Sequence, residues 1–348
     1  MKALLSCLSF LFLLTFNLAT AQYTETINNN RPGASQGAFS VGTNVLQLES
    51  GFALGKEKHR LRQTETNAFT IDYAVRYGVW KEELEVSIMG EYQSNATTDN
   101  RSAFPFEYKE SNFRSNTIGA KYLFYDPYRK MELEGPNLYS WKANYKFQWK
   151  DLIPAISIYA GANFDFADNP LTPDPIEGTS EDESSISPKF VLSTQNNWVG
   201  GFVFVTNIIV DRITTDTPSY GYILTLTHTL TDWFSVFVEN QGIKSDFYAD
   251  QLLRGGAACL INENLHVDAS VLLNFKDTPS RLYGRVGLAY RFDMHDKDEF
   301  IEEKGKAGRK LKKERNKGEK ESKKKNKKKN KKKRKDGFED DGDDGGGI

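Results

Sequence analysis

Across the middle of the chain, apolar and polar side chains alternate at every second position, and sustained helical periodicity is scarce. A period of two is what a strand with one apolar face and one polar face produces. In one stretch Phe69, Ile71, Tyr73, Val75, Tyr77 and Val79 share a face, opposed by Thr70, Asp72, Ala74, Arg76 and Gly78. In the next, Leu84, Val86, Ile88 and Tyr92 oppose Glu83, Glu85, Ser87, Met89 and Glu91. The last sets Leu282, Val286, Leu288, Tyr290 and Phe292 against Arg281, Arg285 and Arg291. The pattern predicts about twelve strands, most of them long enough to cross a bilayer when tilted. They fall near 44–57, 64–79, 83–95, 112–125, 153–166, 187–197, 201–211, 219–230, 232–243, 250–261, 264–275 and 281–292.

The connections carry a second signal. Lys81-Glu82, the stretch from Trp198 to Gly201, Thr231-Asp232 and Asn262-Glu263-Asn264 read as tight turns. Between them lie polar loops at 96–111, 167–186, 212–218, 244–249 and 276–280. Such alternation belongs to an outer-membrane barrel, with short turns on one side and longer loops on the other. Aromatic residues gather at strand ends, among them Tyr77, Trp80, Tyr122, Phe124, Trp198, Phe202, Tyr220, Trp233, Tyr290 and Phe292. Interfacial girdles have that composition. The fold class expected is therefore all-β: a single up-and-down antiparallel transmembrane barrel over 44–292. A soluble secreted β-sandwich is the competing architecture, because alternating strands build sandwiches as well.

Residues 139–149 break the simple count. Tyr139, Trp141, Ala143, Tyr145, Phe147 and Trp149 alternate as a strand would, which would make the number odd. The same stretch puts Leu138, Trp141, Tyr145, Trp149 and Leu152 on one helical face, with Lys142, Lys146 and Lys150 able to snorkel beside it. An interfacial helix within a periplasmic insertion at 126–152, stopped by Pro154, is the reading favoured.

Both ends differ from the middle. Residues 1–21 hold Lys2, an apolar run from Leu4 to Phe16 and Ala19-Thr20-Ala21, which is the layout of a signal peptide. The exported chain then keeps Cys259, a lone thiol with no disulfide partner, expected to be a small buried apolar group. Residues 304–335 carry about 20 Lys and Arg against about 3 acids, and 336–348 carry about 6 acids. Such a sequence cannot bury apolar surface, so 293–348 is expected to be a disordered tail, Lys-rich and then acidic. Net charge of -1 over 348 residues is thus a cancellation between segments. Mean hydropathy of -0.57 rules out a multi-span helical membrane protein, but not a barrel with a polar interior.

The opening and the close of the middle region resemble a known family. Ile27, Asn28, Asn29, Asn30, Arg31, Pro32 and Gly33 precede Val41, Gly42, Thr43, Asn44, Val45, Leu46, Gln47, Leu48, Glu49, Ser50, Gly51 and Phe52. This is similar to the opening of the outer-membrane transporter family named for the MetA pathway of phenol degradation. That opening pairs N-T-D-R-P-G with V-G-x-G-x-x-Q-L-E-x-G. Here Asn29 and Asn30 replace the threonine and aspartate, and Asn44 replaces the second glycine, so the carboxylate that could pair locally with Arg31 is missing. Leu253 to Asp268 resembles the family's penultimate hairpin, and Tyr283 to Phe292 its last strand. The resemblance implies an outer-membrane barrel that moves small, often apolar or aromatic, compounds. It brings no catalytic residues.

No hydrolase, P-loop or metal motif is present. His266, Asp268 and Ser270 share one strand face, but two-residue steps of about 7 Å are too long for a hydrogen-bonded triad. Neither an enzyme nor a cofactor is expected. The polar strand faces, turned inward, give a candidate pore lining of Glu49, Asp72, Arg76, Glu85, Glu91, Lys121, Asp165, Glu239, Arg254, Asp268, Arg285 and Arg291. Residues 22–43 are a candidate plug, with its turn at Arg31, Pro32 and Gly33 and with Arg31 seeking inward carboxylates. Passive or facilitated passage of small solutes across the outer membrane of a Gram-negative bacterium is the function expected. The expected partners are outer-membrane lipid, the solute, and an anionic envelope component for the run from Lys323 to Lys335, with the tail in the periplasm. Export argues against nucleic acid. A non-conducting scaffold that docks an envelope partner through this tail is the alternative.

Overall fold

The computed structural model describes residues 27–129, 139–140, 147, 149–164, 186–215, 218–246 and 248–294. The expected signal peptide at 1–21, Asp165, most of the expected insertion at 126–152 and all but the first two residues of the expected tail at 293–348 lie outside this set. Among the described residues no helix is long and apolar enough to cross a membrane, which says nothing of strands.

The strands are β1 (Val45–His59), β2 (Thr64–Gly78), β3 (Leu84–Asp99), β4 (Phe106–Tyr125), β5 (Ala155–Phe164) and β6 (Ile186–Trp198). They continue as β7 (Phe202–Asp211), β8 (Ser219–Thr231), β9 (Phe234–Ser245), β10 (Ala249–Asn262), β11 (Leu265–Asn274) and β12 (Ser280–Asp293). Each pairs antiparallel with its neighbours in sequence, and β12 pairs with β1 from Val45↔Asp293 to Lys58↔Ser280, closing the barrel. Closure leaves no free edge along this seam. One short 3-10 turn, Trp149–Leu152, precedes β5, and most of the stretch expected to form an interfacial helix lies outside the described residues.

Alternation in sequence becomes alternation of inside and outside. On β1 Gln47, Glu49 and Ala53 are buried while Phe52 and Leu54 are exposed, Leu54 at 70%. On β12 Arg291 is buried and Leu282, Val286, Leu288 and Phe292 are exposed. The exposed apolar side chains form an outward belt, and the polar ones turn inward. An outward charge in mid-belt should therefore be costly. Val286→Arg, near the middle of β12, is expected to destabilise the barrel by about 2–4 kcal/mol in lipid vesicles. Urea unfolding followed by heat-modifiable gel mobility measures this, and a loss below about 1 kcal/mol would remove the belt from contact with lipid.

Three expectations change. The loop placed at 96–111 shrinks to 100–105, because β3 and β4 run on as a hairpin to Asp99↔Phe106. Thr97-Thr98 and the run from Lys109 to Asn112 put polar side chains on both faces, so the alternation that marks a half-apolar strand is interrupted although pairing continues. For the same reason β9 and β10 run to Ser245 and Ala249, which leaves 246–248 between them, no longer than the 199–201 turn. Loop lengths on the two sides therefore contrast less than the sequence reading had it. Gly200 and Gly201, at φ 92° and 77°, provide the left-handed backbone that so short a turn needs. Finally, Cys259 is half-buried beside the inward, buried Ala258, because its parity places it on the outward face.

The long hairpin also holds a bulge. Pairing steps from Glu91↔Ser115 to Tyr92↔Phe113, which leaves Arg114 without an opposite residue. Its guanidinium reaches Glu91 Oε1 at 3.2 Å and Gln93 Oε1 at 3.3 Å.

Candidate functional site

A charge that faces a barrel interior must find a partner or water. Here many of the partners come from residues 27–43, which cross the interior before β1 begins. Backbone groups with no neighbouring strand must be met by side chains, and inward residues of β1, β2, β3, β4, β6, β7 and β9 meet them.

The layer nearest the start of β1 is a network around Arg76, whose side chain is 1% exposed. Arg76 donates to Glu85 from Nε at 2.9 Å and Nη2 at 2.8 Å, and from Nη1 to Glu49 at 3.0 Å. The same Nη1 reaches the Asn28 carbonyl at 2.9 Å. Lys121 Nζ lies 3.3 Å from Glu85 and donates to the carbonyls of Gly37 at 3.1 Å and Phe39 at 2.8 Å. Glu85 accepts from Val41 N at 3.1 Å, and Glu49 from Asn30 N at 3.3 Å and Gln47 Nε2 at 2.7 Å. Beside it, Ala38 packs with Leu123 and Ala155 in a small apolar cluster.

Arg31 occupies the next layer. Its Nε and Nη2 donate to Asp268 at 2.7 and 3.1 Å, and its Nη1 donates to Asp72. The Arg31 and Asp268 side chains are 3% and 0% exposed. Burial alone would lower the pKa of Arg31. The hydrogen bond to Asp268 and the fields of Asp72, Asp268 and Glu49 more than offset it, so the group stays charged, above the ordinary guanidinium value. Gly51 and Gly287 lie behind the guanidinium, where a Cβ on Gly51 would come within 2.5 Å of Nη2.

The far wall holds the following turn. Glu239 accepts from Ala34 N at 2.9 Å, Ser35 N at 3.3 Å and Thr225 Oγ1 at 2.8 Å, and pairs with Arg254. Gly33 lies so close to Glu239 that a side chain there would collide with the carboxylate. Asn207 accepts from Gln36 N at 2.7 Å and donates to its carbonyl at 2.8 Å, and Gln195 accepts from Ala38 N at 3.1 Å. Between these layers remains a cavity of about 200 Å³, bordered by Arg31, Gln36, Asp72, Glu91, Lys189 and Arg285. It is large enough for several waters.

Glu49, Arg76, Glu85 and Lys121 thus form one network, Asp72 and Asp268 join Arg31, and Glu239 joins Arg254. Arg285 Nε lies 3.6 Å from Asp72, Glu91 turns to Arg114, and Arg291 donates to Asn264 Oδ1 at 2.9 Å at the rim. The carboxylates that meet Arg31 come from β2 and β11, on either side of the β1–β12 seam, and not from the residue that precedes it. His266 Nδ1 and Ser270 Oγ have no hydrogen-bond partner, and Asp268 between them is engaged by Arg31, so the three make no relay. Among the described residues no group of three or more His, Cys, Asp and Glu side chains is placed to hold a metal ion. Sequence reading missed Gly51, Gly287, Asn207 and Gln195. The glycines carried a faint signal, since each sits on the polar face of its strand.

Several solved structures are similar to this chain. The COG4313 outer membrane channel from Pseudomonas putida F1 is 8% identical over 76% of this chain and 100% of that one, with a TM-score of 0.45. The translocator domain of autotransporter NalP from Neisseria meningitidis is 12% identical over 72% of this chain and 89% of that one, with a TM-score of 0.40. The CymD monoaromatic hydrocarbon channel is 8% identical over 73% and 89%, at 0.39. No curated protein matches the chain. The model of one protein family, described as "Putative MetA-pathway of phenol degradation", matches residues 29–292, and the chain belongs to that family.

Proposed function

We propose that this protein is an outer-membrane barrel that passes small solutes, with residues 27–43 as a plug whose seating sets the passage. The observation that carries the reading is the pairing of an outward apolar belt with a polar interior that grips the chain's own N-terminal segment. An interior held only for roundness would need no such insert, since wall charges of both signs can pair with one another across the lumen. The family description points to aromatic solutes, and the mixed charge of the interior implies no strong preference between anions and cations.

Because β1 begins and β12 ends at the same end of the barrel, the charged tail leaves from that end, which this reading makes the periplasmic one. The run from Lys323 to Lys335 would there meet an anionic partner, and a pull-down that depends on 304–335 tests it. Passage itself is tested by liposome swelling with small sugars and phenolic solutes. The protein should fractionate with outer membranes, show heat-modifiable mobility and permit swelling that survives removal of 304–335. Outer-membrane fractionation without any swelling would overturn the passage reading in favour of a scaffold.

A further inference from the structure

The wall behind Arg31 is a single row across four adjacent strands. Asp72 on β2 pairs with Gly51 on β1, Gly51 with Gly287 on β12, and Gly287 with Asp268 on β11. Two carboxylates stand at the ends and two residues without side chains lie between them. The guanidinium fills the space where both Cβ atoms would stand, so it lies flat on bare backbone. The row borders the cavity through Asp72, whose buried Oδ1 accepts no hydrogen bond and has Arg285 Nε at 3.6 Å, beyond hydrogen-bond reach. Among the described contacts, Arg31 is the side chain of the segment that two carboxylates from two strands hold.

We propose that this row is a receptor for a flat cationic head group, a guanidinium or amidinium, carried by a solute in the cavity, and that Arg31 is its tethered competitor. The chemistry is that of paired N–H donors in one plane meeting carboxylates. A quaternary ammonium offers charge but no such donors. A solute that takes Asp72 and Asp268 releases Arg31, and with it the side-chain anchor at the centre of the segment. This inference rests on the reading of residues 27–43 as a plug. A tethered group competes at an effective concentration in the millimolar range, so removing it should unmask the site.

The probe is benzamidinium, with phenyltrimethylammonium as a control of like charge and ring. In the full-length Arg31→Ala protein, benzamidinium should raise the thermal midpoint of heat-modifiable unfolding saturably. It should act at concentrations at least about tenfold below the control, the discrimination expected of a bidentate charged pair. The wild-type protein should not respond over that range. Asp268→Asn in the Arg31→Ala background should abolish the effect. Gly287→Ala in the same background fills the row without changing any charge and should abolish it too, which decides the matter if the Asp268 variant does not fold. Equal responses to the two cations, or a benzamidinium response that survives Gly287→Ala, would overturn the receptor. If benzamidinium binds but no variant conducts in planar bilayers, the passage reading falls while the receptor stands.

Discussion

Arg76→Leu should destabilise the barrel by about 3–5 kcal/mol, the cost of removing one partner from a buried ion pair. Arg76 is the only cation that touches both Glu49 and Glu85 among the described contacts, and all three side chains are less than 5% exposed. Without it, Glu85 keeps Lys121 and Val41 N, while Glu49 keeps Gln47 and Asn30 N. Those remaining bonds place the loss toward the lower end of the range. Urea titration in lipid vesicles, read by heat-modifiable mobility, gives the number. The same variant loses the bond to the Asn28 carbonyl, so its conductance should rise as well. A loss below about 1 kcal/mol would mean that the carboxylates are hydrated, and the interior wetter than its burial indicates.

Gly287→Val should have an effect of similar size by another route. Its side chain would stand where the Arg31 guanidinium now lies. Displacing Arg31 strips its Nε and Nη2 donors from Asp268, whose side chain is fully buried, at a cost of about 3 kcal/mol. Gly284 provides the control. It lies on the same strand and is exposed, and a Cβ there would meet nothing within 4 Å. Gly284→Val should therefore stay within about 0.5 kcal/mol of wild type. Matched unfolding titrations of the two variants separate the socket from a general intolerance of β12 to branched side chains. Equal losses would assign the effect to the strand and not to Arg31.

Much of the fold was legible because a barrel wall is a local pattern. Phe69 to Val79 and Leu282 to Phe292 declare their two faces residue by residue, and each strand pairs with its neighbour in sequence. The extra length of β3 and β4 was not legible, since Thr97-Thr98 and Lys109-Glu110 put polar side chains on both faces. At the site, the inward charges were visible as polar parity, and Arg31 stood out as a lone cation in a Gly-Pro-Asn segment. Its partners were not visible. Asp268 is 237 positions away, and only the β11–β12–β1–β2 register brings it to the same row as Asp72. The glycines of that row draw their meaning from what lies against them, which no spacing in the sequence records.

A seated N-terminal segment should limit passage through the barrel. Single-channel conductance in planar bilayers tests it directly, comparing a chain that begins at Gln22 with a form lacking residues 22–40. Small conductance for the intact protein and a several-fold increase on deletion is the result expected. Equal conductance for the two forms would contradict the claim, and would make the segment a structural filling that solutes pass by or never meet.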